Sequence, residues 1–219
     1  MATRAVLAEL GRAFEARFAF GVAIESVGGV DAKKRVLGGE SVDVVALASD
    51  AIDELVAAGR LRFGSRVDLM QSGVAAAVRA GAPRPRIDSE EALERAVLAA
   101  RSIGYSTGPS GVKLSRLFEH WGLADTLRER IVTPKPGVPV GALIACGEVE
   151  LGFQQLSELM HVEGVDVLGP LPASVQILTT FSAGIGADAK HPASAQALLE
   201  FMASPAAADA KRRHGMAPA

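Results

Sequence analysis

Residues 42–47 read Val-Asp-Val-Val-Ala-Leu, apolar almost without a break, and a helical pattern starts within three residues of their end. Such a run has no polar side to offer water, so both of its faces must be covered. That is the mark of a buried strand in a parallel sheet. Short β-branched runs alternate with helical periods along the whole chain. Residues 20–26, 67–70, 74–78, 102–105, 131–132, 149–154, 165–168 and 175–181 read as strands. Helical periods fall at 5–18, 30–37, 50–58, 88–100, 111–121, 124–130, 140–145, 192–203 and 205–213. Asp88 with Glu91 has the spacing of a capping box for the fourth of these. Gly38-Gly39, Gly59, Gly122 and Gly147 supply stops. Alternation of this kind predicts an α/β architecture with parallel-rich sheets.

With 219 residues, 49% of them hydrophobic, the chain can build one large domain or two lobes with full cores. The breaks at Gln71-Ser72-Gly73 and Gly169-Pro170-Leu171-Pro172 mark candidate crossovers. They predict one lobe from 1–72 with 171–219 and a second from 73–170. A net charge of −2 and 5% aromatic residues argue against a nucleic-acid partner. No apolar run approaches the length of about 18 residues that a membrane-spanning helix needs, so membrane insertion is not expected. The first residues show no signal-peptide pattern. Cys146 is a lone cysteine and reads as a small buried hydrophobe.

The richest local signal is Ser106-Thr107-Gly108-Pro109-Ser110-Gly111, a strand end, a small-residue turn and a helix start. Leu114, Leu117, Phe118 and Trp121 then recur at helical spacing. A helix opening on Ser and Gly presents hydroxyls, free backbone N–H groups and the positive end of its dipole, a ready anion site. Ser26-Val27-Gly28-Gly29 and Ala48-Ser49-Asp50 repeat the device. Each alone is also an ordinary turn or cap; three together point to an anion receptor. His120, His161, His191 and His214 stand at no metal-ligand spacing, so no metal is expected. No nucleophile elbow, P-loop or dinucleotide fingerprint occurs, which leaves no cofactor expected. Lys211-Arg212-Arg213 reads as a solvated helix end, and Tyr105 as core packing.

The order of these pieces resembles the type II periplasmic solute-binding proteins, in particular their molybdate-binding branch. The similar pieces are Phe14-Glu15, Ser26-Val27-Gly28-Gly29, Asp43-Val44-Val45, residues 55–61, Pro109-Ser110-Gly111, Val149-Glu150-Leu151-Gly152 and the tail 197–205. The resemblance implies two α/β lobes joined by two crossover strands, with the ligand in a cleft between them. Carried over by position, it implies ligand contacts at Ser26, Gly28, Gly29, Ser49, Ser110, Gly111, Val138 and Gln155. It also implies a periplasmic location and an ABC-type permease as partner; a native N-terminus without a leader would instead mean a cytoplasmic anion-sensing module.

Three departures stand out. The family opens with a strand and a Ser-bearing loop, whereas this chain starts almost directly in a helix. Gln155 stands where the family has Tyr, and Ser49 where it has an acidic residue. Small carboxylates therefore join molybdate-like oxyanions as candidate ligands. Distant relatives of this fold isomerise aconitate, so the same cleft carries an enzyme alternative. That reaction needs a base and an acid, for which Tyr105, Lys113 and Glu158 are the candidates. Arg79, Lys113 and Lys135 are the cations available to substrate carboxylates. No catalytic residue is assigned on the main reading.

Overall fold

The computed structural model describes residues 2–135 and 137–219. It divides into two compact units, one holding the residues up to Ser72 with Thr179–Ala219, the other Gly73–Leu178. Each is a mixed α/β body.

The first unit contains α1 (Arg4–Phe18), α2 (Gly29–Leu37), β1 (Val44–Ala48), α3 (Ser49–Ala57) and the start of β2 (Val67–Arg79). In the second unit lie the rest of β2, α4 (Glu90–Ala99), β3 (Ile103–Tyr105), α5 (Pro109–His120), α6 (Ala124–Leu127) and β4 (Ile131–Val132). They are followed by α7 (Val140–Cys146), β5 (Leu151–Gln155), α8 (Leu156–Leu159) and β6 (Val165–Pro170). β7 (Leu178–Ile185) returns the chain to the first unit, which ends in α9 (Pro192–Ala203), α10 (Ala208–Arg213) and β8 (Ala217–Pro218).

In the first unit the strand order is β1-β7-β2, with β8 also on β2. β1 pairs antiparallel with β7, from Val44 opposite Ile185 to Ala48 opposite Phe181. This corrects the expected parallel setting of 42–47. Only Val45 and Leu47 of β1 are fully buried, and they alternate with half-buried neighbours. β1 is an edge strand whose covered face meets α2 and α3, where Val45, Leu47, Ile52 and Leu55 form one core. A second core gathers Val6, Leu10 and Phe14 of α1 with Leu69, Met70, Leu199 and Met202.

Residues 20–26 form no ladder, contrary to the strand expected there. They pack along α1 instead. The Val22 N–H donates to Glu15 Oε1 at 2.7 Å, and Ile24 lies against Gly11, where a Cβ would stand 3.0 Å from Ile24 Cδ1. Phe20 and Ile24 are left exposed.

The second unit orders its strands β2-β5-β3-β4, with β6 also on β2. The parallel ladder expected of the whole molecule is found here, in β5-β3-β4; β5 and β6 each run antiparallel to β2. Gln71-Ser72-Gly73, expected as a break and crossover, lies inside β2, which is continuous over 13 residues and passes from the first unit to the second between Ser72 and Gly73. The core holds Val74, Leu93, Ile103, Phe118 and Phe153. Leu171 and Ile177 bury themselves in it, and Leu171 N–H and Ile177 C=O bond the two sides of Val74. Residues 171–178, expected in the first lobe, therefore belong to the second unit, and β7 begins three residues later than the predicted strand. Ser89, not Asp88, caps α4: its hydroxyl accepts from the Ala92 N–H at 3.2 Å, while Asp88 pairs with Arg86 at 2.6 Å. Cys146, expected buried, is exposed because α7 ends at it. No helix among the described residues is long and apolar enough to cross a membrane.

Lys211 is a further correction. Arg212 and Arg213 lie at the surface and pair with Asp209 and Glu9, but Lys211 is only 1% exposed. Burial pushes its ammonium pKa down. The folded state then holds that proton less tightly than the unfolded chain, so stability rises with pH across the interval between the two values. Lys211→Met should raise the Tm at pH 7 by ~2–4 °C, the shift that about 1 kcal/mol gives in a chain of this size. The gain should shrink toward the free lysine pKa of about 10.4. Calorimetry at pH 7 and pH 10 checks both statements.

Candidate functional site

β3 lies between β5 and β4 and parallel to both, with Tyr105 opposite Phe153 and Gly104 opposite Val132. The segments that follow the three strands therefore leave the sheet at one end. After β3 comes the turn 106–108 into α5, after β4 the loop 133–139 into α7, and after β5 the single turn α8. In open α/β sheets this carboxyl end is where ligands bind.

Two glycines bring α7 down onto that ladder. Gly104 and Gly152 sit opposite each other in register. A Cβ at position 152 would stand 2.4 Å from Ile144 Cδ1, and one at position 104 would stand 2.7 Å from Val149 Cγ2 and 3.4 Å from Val140 Cγ1. No real Cβ tolerates the first two approaches, so Ile144 of the helix lies where a side chain at 152 would be, and Val149 where one at 104 would be. At that depth the Gly141 N–H of α7 donates to Gln154 Oε1 at 3.2 Å. Gln154, buried, also hydrogen-bonds the carboxyl of Glu158 on α8. Glu158 is half-buried, and burial pushes its pKa above the ordinary carboxylate value.

Ser110, buried, is the second residue of α5, behind the helix-opening Pro109, and its hydroxyl lies 3.2 Å from that of Ser106. α5 has no side-chain cap, in contrast to α4. Gly111 is required by space. A Cβ there would fall 1.6 Å from the Ser106 carbonyl oxygen, and its N–H already donates to Gly108 O at 3.0 Å. The expected donor at Gly111 is thus spent inside the turn, and Ser106 joins Ser110 in its place. Val138 similarly donates its N–H to Lys135 O at 3.0 Å.

The second unit therefore brings Ser110, Gly111, Val138 and Gln155 to one end of its sheet. Gln155 is buried at the tip of β5. Lys135 is on the loop at this end, and Lys113 on α5 reaches the Leu178 carbonyl at 3.4 Å. Arg79 is not with them. It pairs with Val165 at the far end of β2, while Val74 faces Gln155 at the near end. Tyr105 packs on Phe118, ring centroids 6.0 Å apart.

In the first unit, Gly29 and Ser49 lie at the carboxyl end of β1, and Ser26 and Gly28 precede Gly29 in the chain. α3 starts at Ser49 directly after that strand, and Gly29, the first residue of α2, lies 3.9 Å from Leu47 by the position of its absent Cβ. Neither the residue before α2 nor the one before α3 caps its helix with a side chain, though in α3 the Ala51 N–H donates to Asp50 Oδ1 at 2.9 Å. Ser106 opens the segment that the sequence singles out, and Gln154 beside Gln155 reads there as an amide for ligand oxygens; the pairing of Ser106 with Ser110 and of Gln154 with Glu158, both at i, i+4 spacing, is what the sequence reading missed.

The family model for bacterial extracellular solute-binding proteins matches residues 1–217. The chain belongs to that family, and the fold is that of the type II periplasmic binding proteins. Among characterised relatives, an aconitate isomerase from a Pseudomonas species is 43% identical over 187 residues, 84% of this chain and 70% of that protein. Among solved structures, the periplasmic molybdate-binding protein of Azotobacter vinelandii superposes with a TM-score of 0.81 at 21% identity, covering 98% of this chain and 95% of that one. A sulfate-binding protein from Mycobacterium tuberculosis gives 0.76 at 17%, covering 99% and 82%. The two structures share the fold.

Gly111→Ala should destabilise the protein by ~3 kcal/mol or more, a Tm fall of roughly 6–12 °C, because backbone has to move to admit the methyl group. Ser110→Ala, which removes one hydroxyl contact, should lower stability by about 1 kcal/mol. Thermal melts of the two variants beside the wild type measure the contrast.

Proposed function

We propose that this protein binds a small di- or tricarboxylate of the aconitate class and isomerises it by transferring one proton. The observation that carries the reading is the 43% identity, over 84% of the chain, to an aconitate isomerase. The chemistry at the carboxyl end of β3, β4 and β5 supports it. Ser106 and Ser110 offer hydroxyls, Gln155 an amide, Lys113 and Lys135 positive charge, and Glu158 a carboxyl whose proton affinity suits acid–base work. An inorganic oxyanion needs only hydrogen-bond donors. A methylene proton next to a carboxylate needs a base as well.

The second reading is a receptor that captures a small anion and hands it to an ABC-type permease in the periplasm. The family match and the likeness in fold to molybdate- and sulfate-binding proteins favour it.

A thermal-shift panel of cis- and trans-aconitate, citrate, molybdate, tungstate, sulfate and phosphate separates the two. A ligand at about 100 times its Kd adds roughly 2.7 kcal/mol to stability, a rise of roughly 5–10 °C in Tm. The expected outcome is a shift with the aconitates and, by proton NMR, interconversion of the two isomers by the protein. A shift with aconitate and no interconversion supports a carboxylate receptor. A shift with molybdate and sulfate alone supports an oxyanion receptor.

A further inference from the structure

Resting on the isomerase reading above, we propose that Glu158 is the acid–base group that moves the substrate proton. Its place in the fold carries the assignment. β5 delivers α8 to the same sheet end as Ser106, Ser110 and Gln155, and Glu158 is the sole carboxylate within β5 and α8. It is half-buried and hydrogen-bonded to Gln154, which the Gly141 N–H of α7 fixes from the other side at 3.2 Å. The carboxyl is thereby held by a neutral amide, a partner that leaves it able to exchange a proton.

The strands packed against α8 are sparing in charge. α8 packs against β5 and β6. β5 carries no ionisable side chain, and the one on β6, Asp166, is engaged by Arg84 at 3.5 Å. α7 bears only the terminal Cys146, which contacts the Leu143 carbonyl and Glu148. His161 follows α8 by two residues. A carboxyl in such a setting is protonated more easily than one beside a guanidinium.

The step balances without a co-reactant. The Glu158 carboxylate removes a proton from the substrate methylene, and the electron pair left behind is shared through the adjacent double bond with the flanking carboxylates. The same carboxyl, now protonated, returns the proton to the former vinyl carbon. The double bond has moved by one position, nothing has been oxidised or reduced, and the geometry about the new double bond follows from the bound conformer.

Glu158→Gln keeps the shape and the hydrogen-bonding amide neighbour while removing the proton carrier. With trans-aconitate as substrate and NMR detection, its kcat should fall by about 10²–10⁴-fold, with KM within about threefold of the wild type and the thermal shift by trans-aconitate retained. A kcat within tenfold of the wild type overturns the assignment of Glu158 while leaving the isomerase reading intact. A wild-type protein without turnover overturns both. Should the Gln variant fail to fold, Glu158→Asp gives the same decision: the carboxyl set back by one methylene should lower kcat and leave KM unchanged, and an unaltered kcat overturns the assignment.

Discussion

The second unit depends on one close approach, that of α7 and the Val149 that follows it to the glycine pair Gly152 and Gly104. A side chain at position 152 would press on Ile144 of the helix, and one at 104 on Val149. Were the helix displaced, the bond from Gly141 to Gln154 would go, and with Gln154 the seat of Glu158. Packing here is not merely a source of stability. It sets the depth at which a buried amide can link the start of one helix to the tip of the neighbouring strand, so the polar end of the sheet inherits its geometry from two missing methyl groups.

The polar groups gathered at that end are mostly neutral. Two hydroxyls and two amides lie there, with lysines at the margin and one carboxyl of raised proton affinity. Neutral dipoles hold an anion without a buried counter-charge that would have to be desolvated each time the site empties. Burial among such neutral groups raises the proton affinity of the carboxyl beside them. Anion capture and proton transfer thus ask for the same kind of lining.

Much of this was legible in the sequence. Helical periods placed α1, α5, α7 and α9 to within a residue or two, and Gly29, Ser49 and Ser110 stand at the starts of α2, α3 and α5. The failures have physical causes. Residues 20–26 have the β-branched and aromatic character of a strand, but a strand needs a partner, and the side of α1 claimed them first. The apolar run at 42–47 reads the same whether its neighbour is parallel or antiparallel; only two of its six residues, Val45 and Leu47, are fully buried. Gly73 looked like a break because glycine is rare inside strands. In the fold it makes room for Gln176, whose amide lies 3.2 Å from where a Cβ would be. The burial of Lys211 left no trace in a run of three basic residues.

The segment 19–28 delivers Ser26 to the start of α2, yet it is secured by very little. The Ala19 and Val22 N–H groups donate to Glu15, Val22 and Ile24 meet Gly11, and Glu25 joins Glu40 on Arg35. Exposed ion pairs of that kind contribute about 1 kcal/mol at most and weaken as salt is added. Backbone held so lightly opens far more often than the strands do, and its amide hydrogens exchange with solvent without global unfolding. Any molecule that gripped Ser26 would have to still this stretch as well, at roughly 1–2 kcal/mol for each residue fixed. Affinity is lowered by that amount, and departure is quickened to match. A protein that must let go of what it binds is served by an arm that prefers to be loose.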